Sequence, residues 1–225
     1  MTSTPEPSRT TPARMADRVS DSDRVALDQL LDSQPLGHVG FVTETGQPFV
    51  LPTAIARDGE HVLLHGSSGS RWLRLVAQGI PVSLAVTALD GLVVARSAFE
   101  SSMRYRSAVL FGSCVEVDGP AKLAALDLLT DVLIPGRVAE IRRPTSKELA
   151  ATLVLRLLVE DYTIKIAQEW PDDSESDVAG PAWAGVLPLR HSHPQAWPAP
   201  DLRAGIEPPA SVRRLLGEVA GSNAG

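Results

Sequence analysis

Three glycine turns constrain this chain more than any other feature of it. Thr45-Gly46-Gln47, Asp58-Gly59 and Asp90-Gly91 break a series of short apolar runs into pieces joined by two or three residues. Strands joined so tightly pair antiparallel, because a parallel neighbour needs a crossover of a dozen residues or more. A doubly wound parallel sheet is therefore disfavoured, and a small barrel with helices at its rim is favoured.

The elements follow in order. Asp21 or Ser22 caps a short helix carrying Val25, Leu27, Leu30 and Leu31, ended by Pro35-Leu36-Gly37. Strands are expected over 38–44, 49–57 and 61–65, a helix over 71–78, and strands over 81–89 and 92–95, separated by the Asp90-Gly91 turn. A long strand covers 105–117, with Gly112 allowing a barrel corner. Asp118-Gly119-Pro120 opens a helix whose expected buried stripe is Leu126, Leu129 and Leu133. Thr145-Ser146-Lys147-Glu148 reads as a capping box. Strands over 151–159 and 162–167, an acidic loop over 171–177 and a strand-like segment over 183–189 complete the body. The fold class read from this is mainly β with inserted helices, a barrel of antiparallel strands.

Residues 1–20, rich in Thr, Ser, Pro and Arg, read as a disordered leader; 21–190 form the domain; 191–225 form a proline-rich extension with one short helix near 212–219. Glu6, Asp17 and the prolines count against a transit peptide, and the N-terminal residues hold no apolar signal core. The formal net charge of -6 and the lack of a basic cluster argue against a nucleic-acid surface. No apolar stretch is long enough to span a bilayer. The single cysteine, Cys114, sits in an apolar run, reads as core, and fits a reducing cytoplasm. His191 and His193 lack a carboxylate or cysteine partner, so no metal site is expected. His38 and His61 read as structural or solvent-facing.

One stretch gathers chemistry. In His65-Gly66-Ser67-Ser68-Gly69-Ser70-Arg71-Trp72 an apolar strand turns into a helix, with Ser70 as the expected N-cap and Gly79 just past the helix end. Backbone N–H groups and the positive end of the helix dipole suit a phosphate there, and Arg71 adds a charge-assisted contact. The same string also describes an ordinary capped helix beside a solvated arginine.

Taken together, Leu51-Pro52-Thr53-Ala54, Leu64 to Trp72, Asp90 to Phe99, Met103 to Ser107, Pro135-Gly136-Arg137, Arg143-Pro144-Thr145 and Trp183 to Pro188 resemble one superfamily. It comprises the FMN-binding split-barrel proteins related to pyridoxamine 5'-phosphate oxidase, including the nitroimidazole-resistance reductases. The resemblance spans roughly Leu36 to Leu189. It implies a Greek-key-like six-stranded split barrel with FMN at the interface of a homodimer. Carried over, Pro52, Thr53, Ala54 and Ile55 run along the isoalloxazine edge, and His65 and Gly66 sit near the ribityl chain. Ser67, Ser70 and Arg71 hold the phosphate, while Tyr105, Arg106 and Ser107 line the site from the partner. Related oxidases often place a lysine after this arginine; Trp72 stands here, leaving Arg74 or Arg106 to supply the second charge. The arginine–histidine substrate signature of the true oxidases is not matched, which turns the reading away from vitamin B6.

Two functions stay open. One is a flavin-dependent oxidoreductase passing electrons from a reduced nicotinamide to a small acceptor, with no assignable catalytic side chain. The other is a non-catalytic flavin or haem carrier or sensor, for which His65 is the candidate ligand. Deazaflavin is a third cofactor compatible with this barrel.

Overall fold

The computed structural model describes residues 24–190, 192 and 195–217. The expected leader, the caps Asp21 and Ser22, His191, His193 and the end of the 212–219 helix lie outside these residues. The described elements are α1 (Arg24–Ser33), β1 (Leu36–Val42), β2 (Pro48–Asp58), β3 (His61–Ser67), α2 (Arg71–Val76), β4 (Pro81–Val94) and β5 (Ser102–Glu116). They continue with α3 (Gly119–Leu133), α4 (Ser146–Ala150), β6 (Thr152–Leu158), β7 (Asp161–Ala167), α5 (Glu175–Val178), β8 (Gly185–Pro188) and α6 (Ala210–Leu215).

All pairings are antiparallel, as the short turns require. The order β5-β6-β3-β2-β1-β4 closes on itself through a long β4–β5 pairing, so six strands form a ring; β7 and β8 add to β5 and β4 outside it. This is the split barrel. β2 changes partner midway. Its residues 48–54 pair with β1 and its residues 55–58 with β3.

The strand alternation divides the apolar residues between two interiors. Ile55, Val62, Leu64, Leu153, Leu155 and Leu157 point into the barrel, where α1 adds Leu27, Leu30 and Leu31. The alternate residues Ala56, Leu63 and Val154 point outward and are covered by Ala125 and Leu129 of α3. Fully burying a leucine contributes about 1.5–3 kcal/mol, so both layers hold substantial stability.

Several expectations change. Asp90-Gly91 is not a turn: β4 runs through it with a register shift between Leu89 and Gly91. A Cβ on Gly91 would lie 2.9 Å from the Leu187 carbonyl oxygen of β8, so this glycine serves a close backbone approach. Leu133 is 46% exposed and not part of a buried stripe. The acidic loop at 171–177 contains the start of α5, and its Asp173 carboxylate, fully buried, pairs with Arg96. The helix after Ser70 ends at Val76, two residues early, while Gly79 takes the expected left-handed conformation at φ 81°. The Thr145–Glu148 capping box forms as expected.

Gly91→Ala should loosen β8 without unfolding the barrel. Amide exchange should speed up across Gly185–Leu187 while the core strands β3 and β6 keep their protection.

Candidate functional site

The phosphate-type turn joins β3 to α2. Three of its N–H groups are already used inside the fold: Ser68 N–H donates to Ala151 O at 2.8 Å, Ser70 N–H to Ser67 O at 2.9 Å, and Gly69 N–H to Ser67 Oγ at 3.1 Å. The turn is thus a built structure and not a fan of free donors. What it leaves open is the start of α2. Ser70 makes no side-chain cap, and the first helical bond is Arg74 N–H to Ser70 O, leaving the N–H groups ahead of it without a helical partner. Arg71 and Arg74 are exposed and make no ion pair among the described residues. Arg106 is differently placed. Its Nε and Nη2 each donate at 2.9 Å to the Asp90 carboxylate, so its charge is already balanced. Of the two expected sources of a second phosphate charge, Arg74 is the unpaired one.

Pro52, Thr53, Ala54 and Ile55 occupy the part of β2 where it leaves β1 for β3, and Ile55 pairs with Leu64 beside His65. This segment and the turn therefore share the end of β3. Tyr105, Arg106 and Ser107 are elsewhere. They lie on β5, pairing with Leu89, Ala88 and Thr87 of β4, and β5 is three strands from β2 in either direction around the ring, on its opposite side. One chain does not bring the two groups together. Tyr105 also lies under the Lys165 ammonium at 5.0 Å from the ring centroid.

His65 and Gly66 face opposite sides of β3. A Cβ on Gly66 would approach Leu73 of α2 at 3.3 Å, whereas His65 shares the outer face with Leu63 and opens into a cavity of about 500 Å³ beneath α3. The cavity floor is apolar, from Leu126, Leu129, Leu133, Val138, Ile141 and Leu149. Leu133 and Ile141, 46% and 43% exposed, owe their exposure to this opening. Burial lowers the imidazole pKa below its ordinary value, which keeps it neutral at pH 7, and Nδ1 is buried without a hydrogen-bond partner. A buried imidazole nitrogen with no partner is costly, and other atoms of the same ring line the cavity.

At the mouth stand two ion pairs that residue-by-residue reading of the sequence missed. Arg142 donates through Nη1 and Nη2 to the two Glu148 oxygens at 2.8 and 2.6 Å, and Arg143 donates through Nη1 to the Asp127 carboxylate. Their signal lay in the adjacent arginines six and five residues ahead of the capping-box glutamate. Glu148 is held to about 2 by Arg142 first and then by the Thr145 N–H and hydroxyl.

Cys114 is buried, and desolvation pushes its thiol up to about 12. It is core, as expected, and should resist a disulfide reagent at pH 8 in the native protein while reacting in urea. His65 gives a pH test of opposite sense. Its folded pKa is depressed, so the unfolded chain takes the proton more readily. The stability it confers is complete above the unfolded value of about 6.5 and falls as pH drops from there through the folded pKa. Urea midpoints should decline more steeply between pH 7 and 5 in the wild type than in His65→Gln.

Comparison with known proteins places this architecture. The family described as pyridoxamine 5'-phosphate oxidase matches residues 23–166, well over half of the chain. No curated protein matches. Among solved structures, the FAD and heme binding protein from Mycobacterium smegmatis is 49% identical, with a TM-score of 0.83 over 88% of this chain and 97% of that one. The flavocytochrome Anf3 from Azotobacter vinelandii is 34% identical, with a TM-score of 0.82 over 92% and 96%. A Bacteroides thetaiotaomicron VPI-5482 protein named for 5-nitroimidazole antibiotic resistance is 17% identical, with a TM-score of 0.56 over 66% and 86%, a likeness of fold alone. By its closed six-strand ring, its partner-switching β2 and the match along its length, the chain belongs to the pyridoxamine 5'-phosphate oxidase family of split-barrel proteins.

Proposed function

We propose that this protein is a redox protein that holds a flavin nucleotide at the β2–β3–α2 junction and a haem in the cavity under α3, with His65 as the iron ligand. The observation that carries the reading is a neutral, half-buried His65 lining a cavity rich in apolar side chains, in a chain 49% identical to a protein named for binding both FAD and haem. A neutral imidazole is the form that ligates iron, and burial keeps this one neutral. The apolar floor suits the face of a porphyrin, and the cavity has a fitting order of size. On the other side, Arg71 and Arg74, which make no ion pair among the described residues, present their charge to a phosphate; the Ile55 N–H is spent on the Pro35 carbonyl at 2.9 Å, so backbone contacts to the ring edge fall to Thr53 and Ala54.

When bound, the two groups supply one- and two-electron chemistry; the chain supplies position and surroundings. β3 carries both sites. His65 is two residues from Ser67, about 7 Å along a strand, and adjacent to the pairing of Leu64 with Ile55. Such proximity suits electron passage between flavin and haem. In this reading a reduced nicotinamide is the donor, a small molecule the acceptor, and the flavin FAD or FMN.

The reading includes a homodimer. β5 gives it little support: this strand is paired by β4, β6 and β7, and its Ala108, Leu110 and Cys114 are buried within one chain. One run of uncovered apolar residues lies on the β1–β2 hairpin, where Leu36, Val42, Phe49 and Val50 are 43 to 68% exposed.

The purified protein should show flavin bands and a Soret band together, with mass spectrometry of the released flavin separating FAD from FMN. His65→Ala should lose the Soret band and keep the flavin, whereas Arg71→Ala should weaken flavin about ten- to a hundredfold and keep the haem. A Soret band unaltered in His65→Ala overturns the ligand assignment. NADH or NADPH added anaerobically should bleach the flavin; reduction by neither leaves a carrier or sensor. Light scattering should give a dimer at micromolar concentration.

A further inference from the structure

The two ion pairs at the cavity mouth are unusual in where they stand. Arg142, Arg143, Asp127 and Glu148 all line the one cavity, yet each arginine is spent on a carboxylate of the same chain. The side chains of Arg142 and Arg143 are 69% and 59% exposed, so these are solvent-facing pairs of the kind that cost little to break. If Arg142 leaves, Glu148 gives up its strongest partner but keeps the Thr145 N–H, at 2.7 Å, and the Thr145 hydroxyl, which still hold it as a helix cap. Asp127, its side chain 28% exposed, returns to water. The same cavity is lined by Leu126, Leu129, Leu149 and His65.

Resting on the haem reading above, we propose that Arg142 and Arg143 recognise two carboxylates on the edge of the cavity's ligand, and that the Glu148 and Asp127 pairs are exchanged for them on binding. The ligand class is then a flat apolar ring bearing two carboxylates at one edge, a dicarboxylate porphyrin. A planar guanidinium accepts a carboxylate through two parallel hydrogen bonds, the geometry Arg142 already shows with Glu148. The internal carboxylates keep the arginines ordered and balanced until the ligand arrives, which lowers the cost of arranging them. A ring lacking the carboxylates gains nothing from breaking the pairs and is held by the floor and His65 alone.

The test uses haem, metal-free protoporphyrin IX and protoporphyrin IX dimethyl ester, titrated into protein freed of haem and followed by Soret absorbance and quenching of tryptophan fluorescence. In the wild type the diacid should bind at least tenfold more tightly than the dimethyl ester. The double substitution Arg142→Gln, Arg143→Gln should weaken the diacid by at least tenfold, leave the ester unchanged, and keep the wild-type Soret position once saturated with haem. Asp127→Asn, which frees Arg143, should tighten the diacid. Equal affinity for diacid and ester, or a diacid affinity unmoved by the double substitution, overturns the inference while a His65-dependent Soret band leaves the haem reading standing. Arginine-dependent binding of the metal-free diacid, without any His65-dependent haem spectrum, overturns the haem reading and retains the carboxylate site. Binding of neither porphyrin overturns both.

Discussion

The two-residue alternation of β3 and its neighbour β6 is the constraint on which the rest of the molecule depends. Because successive side chains of a strand point to opposite faces, the same strands that fill the barrel must also present an apolar outer surface. Val62 and Leu64 go in; Leu63 goes out, with His65 continuing the outward set. An outward apolar face requires a cover, and α3 supplies it with Ala125 and Leu129. The cover is incomplete toward the end of β3, where Leu133 and Ile141 stand over open space instead of packing on a neighbour. A barrel with its second layer left unfinished at one corner is a barrel with a cavity beside its wall. That corner is where the histidine falls.

Local chemistry made much of the fold legible. Asp58-Gly59, the Thr145–Glu148 capping box, Pro120 in the first turn of α3 and the left-handed Gly79 all behave as their residue types dictate, because turns and caps are settled within a few residues. Asp90-Gly91 misleads for a non-local reason. Its carboxylate is taken by Arg106, its carbonyl accepts the Leu189 N–H, and Gly91 makes room for the Leu187 backbone. Three partners remote in sequence hold straight a dipeptide that by itself prefers to turn. The partners of β5 are non-local in the same way: β6 and β7 come from much later in the chain to pair with it.

The site was legible as residues and illegible as faces. His65 through Arg71 read as a place where chemistry gathers, and the structure does put a strand end, a built turn and a helix start there. Alternation alone says that His65 and Gly66 part company; it does not say that α3 lies on the histidine's side. That knowledge belongs to the packing of a helix which begins fifty-four residues later. The mouth arginines were hidden for a related reason. Arg142 and Arg143 looked like an isolated basic pair, and only the return of α4 and α3 onto the same opening makes them part of a site.

One strand thus serves two neighbourhoods of opposite electrical character. At its C-terminal end the turn into α2 faces water with uncompensated positive charge, suited to a phosphate held in solvent contact. Two residues earlier the outward face meets a cavity rich in apolar side chains, and there desolvation lowers the imidazole pKa. On the proposed reading a flavin and a haem would stand close together at one end of β3, on the outside of the barrel, and the core would be left free to be only a core.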